Sequence, residues 1–186
     1  DAAPILDADK ALGVANPRVL ALSQATIHLL KIVGVWEKLA RQQPYTGMQV
    51  WNKNGYGDIN FGQPSEKTPS VEQALGSMVE PSILNLAIQQ KMLDDVQDYR
   101  TQVKVSRVER GVGVWIIHLA DGTQLKTKLV IGADGANSFV REQAFIDIDV
   151  LDYQQAGISC AIQTVQPHQH MARQIFLETG PLAFLP

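Results

Sequence analysis

The sequence predicts a mixed α+β fold, on three observations. Residues 115–127 alternate apolar and polar side chains on both sides of Asp121-Gly122, and a D-G pair between alternating runs is a strong hairpin signal. Residues 129–131 are a short apolar run that stops at Gly132-Ala133-Asp134-Gly135. That is the pattern of a strand buried on both faces and closed by a glycine turn. Ser23 and Pro81 each open a stretch with apolar residues at helical spacing, so helices and strands interleave along the chain.

In chain order, residues 1–17 contain Pro4, Gly13 and Pro17 and read as loop with a short helical turn. Ser23 suits a helix N-cap, because its hydroxyl can accept from a first-turn N–H. Ile27, Leu30 and Val33 follow at helical spacing, and Gly34 is placed to end the helix. Residues 35–39 start a second helical piece, with Trp36 as a packing residue. Residues 42–47 read as a linker. Residues 48–61 alternate around Asn54-Gly55 and Gly57-Asp58, which predicts a hairpin with Val50 and Trp51 on opposite faces. Residues 64–69 are polar loop.

Pro81 fits the first turn of a helix, where its missing N–H costs nothing. Ile83, Leu84, Ala87, Ile88, Met92 and Val96 then make the apolar face. Asp94, Asp95 and Asp98 lie at the end where the helix dipole disfavours acid, so they read as a solvated terminus. Residues 101–110, 114–120 and 123–128 form a three-stranded meander feeding residues 129–131. Residues 145–149 are a connector. Residues 153–165, 174–177 and 181–185 are strand candidates, with Cys160 as a small buried hydrophobe.

The turn after residue 131 has chemical uses. Glycines allow positive φ and close approach of backbone to a ligand. N–H groups at the helix start opened by Ser138 can face a phosphate. The Asp134 carboxylate can accept from a ribose hydroxyl or a guanidinium. The same turn would also serve an ordinary α/β domain without a ligand. Gly135 is expected in a conformation, or a contact, that a Cβ would disturb. Asp134 is expected to point towards a nucleotide ribose or towards Arg18.

Residues 132–141, G-A-D-G-A-N-S-F-V-R, resemble the D-G signature of the flavin-dependent aromatic hydroxylases of the para-hydroxybenzoate hydroxylase type. Residues 17–23, P-R-V-L-A-L-S, with Leu30 and Gly34-Val35-Trp36, resemble the ubiquinone-biosynthesis branch of that family, as do residues 180–186, G-P-L-A-F-L-P. The three blocks stand in the family's order and span most of the chain.

The resemblance implies an α/β-type FAD-binding domain, partly present in residues 1–45 and 76–150. It implies an interleaved β-rich substrate domain, partly present in 46–75 and 151–186. It implies FAD as cofactor, held through Arg18, Asp134, Gly135, Ser138 and Arg141, and NAD(P)H as co-substrate. Arg18 would pair with the flavin pyrophosphate, a role for which a planar two-donor fork is suited. The implied reaction is hydroxylation of a polyprenylated phenol on the way to ubiquinone, with no protein side chain needed as acid or base. The family often carries Glu-Asn before its second long helix, with the Asn near the flavin. Here Glu80-Pro81 stands there, a departure from the family pattern that puts a side-chain contact at Pro81 in question.

Members of the family also carry a G-x-G-x-x-G turn near the start and a G-D motif after the D-G signature; this sequence has no G-x-G-x-x-G and no G-D pair after residue 141. The chain is therefore read as a fragment, truncated or proteolysed. By itself it is expected to be free of FAD, inactive, and prone to self-association through unpaired strand edges. Two other functions fit the same architecture: a non-catalytic binding or assembly component, and another flavoenzyme of epoxidase or halogenase type.

Composition narrows the partners. Hydrophobic residues make up 45% of the 186, enough for a core, and the net charge of −3 offers no basic face for nucleic acid. The single cysteine rules out an intrachain disulfide and fits a reducing, cytoplasmic setting. No apolar run approaches the roughly 18 residues of a membrane span, and no stretch reads as a secretory signal. Any membrane association would be peripheral, at the inner membrane or within a biosynthetic complex. His168 and His170 could be read as a metal pair, but zinc needs three or four ligands, and a polar loop is the simpler reading.

Overall fold

The computed structural model describes residues 2–186. The chain divides into two compact units, Leu6–Val96 with Ile158–Pro186, and Gln97–Gly157 with residues 2–5.

The unit starting at Leu6 opens with α1 (Ala8–Leu12), capped by Asp7, whose carboxylate accepts from the Asp9 and Lys10 N–H groups. β1 (Leu20–Ser23) runs directly into α2 (Gln24–Ile32). Ser23 is the expected N-cap, with Oγ accepting from the Thr26 N–H at 3.3 Å. Gly34 follows the helix and a 3-10 turn, Trp36–Lys38, comes next. β2 (Gln43–Tyr45) precedes the predicted hairpin, β3 (Gly47–Asn52) and β4 (Asp58–Gly62). β5 (Gly76–Val79) leads into α3 (Pro81–Asp95), with Pro81 at the first turn.

β5 is the centre of this unit. It lies between β1 and β2, antiparallel to both, and all four of its residues are buried. Val79 joins Leu22, Ile27 and Trp36 in one apolar cluster, and Met78 joins Tyr45 and Ala172 in another. Burying a side chain such as Ile27 stabilises by about 1.5–3 kcal/mol. Gly76 sits where neighbouring chains close in. A Cβ there would lie 2.3 Å from the Leu22 carbonyl oxygen and 2.9 Å from the Tyr45 hydroxyl.

The second unit holds the expected meander, β6 (Val105–Arg110), β7 (Trp115–Leu119) and β8 (Gln124–Thr127), in that spatial order. A short α4 (Phe139–Gln143) follows. The chain then returns to the first unit as β9 (Met171–Leu177) and β10 (Gly180–Phe184). These complete a four-stranded sheet in the order β10-β9-β3-β4, with β9 parallel to β3. Ala172 on β9 and Met48 on β3 both pack in the Met78 cluster.

Several expectations need correction. Residues 43–45 are a strand, not a linker. Pro44 hides it in the sequence, yet β2 lies at a sheet edge, where a missing N–H is tolerated. Residues 129–131 form no strand; Leu129 is 70% exposed and Ile131 78%. A strand of that kind needs neighbours on both edges, and no strand among the described residues pairs with it. Residues 153–165 likewise form no strand, and Cys160 is exposed rather than buried. On α3, Leu86 is buried although it lies outside the expected apolar face, and Val96, which that face includes, follows the helix as its C-cap and is exposed. Among the described residues, no helix is long and apolar enough to cross a membrane.

Candidate cofactor-binding site

The glycine turn of the second unit is organised by its own residues. Gly135 has φ of 91°, the left-handed region that disfavours any Cβ. This reverses the chain so that Ser138 can cap α4, its Oγ accepting from the Arg141 N–H at 3.1 Å. Asp134 turns back onto the same helix start. One carboxylate oxygen accepts from the Ser138 hydroxyl and the other from the Val140 N–H at 3.1 Å. The Ser138 hydroxyl and then the Val140 N–H hold the Asp134 carboxyl below the usual carboxylate range. Arg141 donates from Nη1 to the Ala136 carbonyl at 2.8 Å.

Asp134, Gly135, Ser138 and Arg141 therefore come together in one local turn. The carboxylate faces the helix start rather than an arginine. An open depression of about 830 Å³ lies beside the turn, lined in part by Asn137, Ser138, Arg141, Phe145 and Ile148.

Arg18 belongs to the other unit. Its side chain is exposed and makes no ion pair or hydrogen bond among the described residues. Its backbone is held instead: the Arg18 N–H donates to Asn16 Oδ1 at 2.9 Å. The Asn16 N–H in turn donates to Glu80 Oε2 at 2.7 Å. Glu80 accepts from Arg41 through Nε at 2.5 Å and Nη2 at 2.9 Å, a two-pronged pair. The third arm of Arg41, Nη1, donates to the Leu12 carbonyl at 2.8 Å. The Glu80 side chain is only 11% exposed, against 36% for Arg41. Arg41 first, opposed by burial and helped by the Asn16 N–H, holds the Glu80 carboxyl below its ordinary value.

Glu80, Arg41 and Asn16 were not visible as site residues in the sequence. Arg41 and Glu80 are 39 positions apart, and no spacing rule connects them. His168 and His170 are edge-on to each other, with centroids 4.9 Å apart. Gln43 Nε2 lies 2.8 Å from His170 Nδ1. Burial, then His170 and Arg173, push the His168 imidazole down from its ordinary value. Among the described residues, no group of three His, Cys, Asp or Glu could hold a metal ion.

Residues 6–178 match the FAD binding domain family. The chain belongs to that family. It is 32% identical to the zebrafish ubiquinone biosynthesis monooxygenase COQ6, mitochondrial, over 96% of this chain and 38% of that protein. It is 32% identical to Escherichia coli 3-demethoxyubiquinol 3-hydroxylase, over 91% of this chain and 43% of that one. The Rhodospirillum rubrum ubiquinone hydroxylase UbiL is 29% identical over 91% of this chain and 39% of its own length. The chain thus spans about two fifths of the length of these relatives.

Among solved structures, a mutant of Pseudomonas aeruginosa PqsL matches with a TM-score of 0.63 at 20% identity, covering 93% of this chain and 48% of that one. Klebsiella pneumoniae HpxO complexed with FAD and uric acid matches at 0.58 and 14% identity, over 94% and 45%. These likenesses show the fold, an α+β arrangement shared with FAD-binding proteins.

Proposed function

We propose that this chain is part of an FAD-dependent monooxygenase that uses NAD(P)H and O₂ to hydroxylate the ring of a polyprenylated phenol in ubiquinone biosynthesis. The observation that carries the reading is the continuous match to the FAD binding domain family together with relatives named for ubiquinone biosynthesis. In this reading residues 1–45 and 76–150 contribute to the FAD domain, and 46–75 with 151–186 to the substrate domain.

The residues present fit the cofactor. Arg18 offers a guanidinium with no acid partner among the described residues, and its fork matches a phosphate. The α4 turn brings together the Asp134 carboxylate, a left-handed Gly135 and the capping hydroxyl of Ser138. Arg18 would hold the pyrophosphate, and Asp134, Gly135, Ser138 and Arg141 would line the nucleotide side. FAD, when bound, supplies the redox chemistry between NAD(P)H and O₂. The protein binds and orients the cofactor and keeps water away from the ring to be oxidised. No side chain is assigned as acid or base. The 186-residue stretch by itself is proposed to hold FAD weakly and to be inactive.

The test is a turnover assay on the full-length protein with FAD, NADH or NADPH, and a polyprenylated phenol, read by mass spectrometry. Cofactor oxidation coupled to a product heavier by one oxygen supports the reading. Bound FAD without oxidation of NAD(P)H would point to a binding component, and oxygen transfer to an alkene but not a phenol to an epoxidase.

A further inference from the structure

We infer that Arg41 and Glu80 are positioning residues for Arg18: their ion pair presets the loop that presents the Arg18 guanidinium to the FAD pyrophosphate. This rests on the reading of Arg18 as a phosphate ligand. The ion pair itself does not touch the cofactor; it acts through the backbone of residues 12–18.

That loop has almost no structure of its own. α1 ends at Leu12 and β1 begins at Leu20; residues 12–18 are exposed, and Val19 is half-buried against the Met78 cluster. An exposed segment that long samples many conformations, and each one that misplaces Arg18 reduces its binding to phosphate by the fraction of time it is occupied. Three hydrogen bonds restrict it. Arg41 holds the Leu12 carbonyl at one end, and Glu80 holds the Asn16 N–H in the middle. Asn16 passes the restraint to Arg18 through its side-chain oxygen. Ser159 adds a fourth contact, donating from Oγ to the Pro17 carbonyl at 2.9 Å.

The far end is fixed by the sheet. Leu20 pairs with Val79, the residue before Glu80. Glu80 thus directly follows the central strand, whose four residues are all buried, and precedes α3, and it carries that rigidity to the loop. Arg41 does two jobs at once: its Nε and Nη2 keep the Glu80 carboxylate aimed, and its Nη1 reaches Leu12. A lysine could balance the charge but could not make all three bonds in one plane. Glu80 stays ionised because Arg41 faces it, so its oxygens remain acceptors for the Asn16 N–H.

The test is a double-mutant cycle on FAD affinity in the full-length protein, read by quenching of flavin fluorescence. Glu80→Gln keeps the shape of the side chain but loses the charge that binds Arg41. In the presence of Arg18 it should weaken FAD binding roughly tenfold. In the Arg18→Ala background the same change should cost less than about twofold, because the group being positioned is gone. Arg41→Lys should fall between wild type and Arg41→Ala. Circular dichroism melting of each variant confirms that a folded protein is compared. Equal losses from Glu80→Gln in both backgrounds would overturn the positioning role while leaving Arg18 as a ligand. If Arg18→Ala itself leaves FAD affinity unchanged, both the ligand reading and the positioning reading fall.

Discussion

The two regions proposed to meet FAD are built in opposite ways. The turn at residues 132–141 is held by contacts within itself: Asp134 to Ser138 and Val140, Ser138 to Arg141, and Arg141 to Ala136. The Arg18 loop is held from outside, by Arg41 acting 29 positions away on Leu12 and by Glu80 acting 64 positions away on Asn16. A locally built turn keeps its shape wherever its sequence is kept. A remotely held loop depends on the whole sheet beneath it. Loss of core packing should therefore disable the Arg18 region and spare the turn.

The largest effect should come from the core under the loop. Ile27→Ala removes a side chain only 1% exposed and should cost about 2–5 kcal/mol in urea unfolding. Hydrogen exchange should speed up across β1 and the Arg18 loop but not at the α4 amides. Equal acceleration at α4 would erase the distinction between the two regions.

Next come changes inside the turn. Gly135→Ala places a Cβ in open space but on left-handed backbone, so it should cost about 1–2 kcal/mol through strain alone. Ser138→Ala removes the cap and should cost about 1 kcal/mol, with faster exchange at the Val140 and Arg141 amides. Neither should alter exchange in the Arg18 loop.

The smallest effect is that of acid. The Asp134 carboxyl has its folded value below its unfolded value of about 3.9. Its contribution is then complete above about pH 4 and is lost as pH falls through the folded value. NMR titration of α4 amide shifts should follow that loss, and Asp134→Asn should abolish it. A titration unchanged by Asp134→Asn would mean that another group caps the helix.

This contrast also explains what could be read from the sequence. The Ser23 cap, the Pro81 start, the D-G hairpin and the positive φ at Gly135 are set by residues a few positions apart, and all were legible. So was the candidate turn, because its bonds span six residues or fewer. The Arg41–Glu80 pair was not, since it exists only once β5 lies between β1 and β2. The misread strands fail for a related reason. Residues 129–131 and 153–165 have strand-like composition, but a strand is defined by its partner. The hidden strand β2 is the converse, with poor composition and a good partner in β5.

The most direct test of the Arg18 site is a structure of the full-length protein with FAD bound. The Arg18 guanidinium should lie within hydrogen-bond distance of a pyrophosphate oxygen, about 2.7–3.1 Å, with the Arg41–Glu80 pair and the Asn16 bond arranged as they are here. A pyrophosphate bound elsewhere, with Arg18 left in solvent, would contradict it.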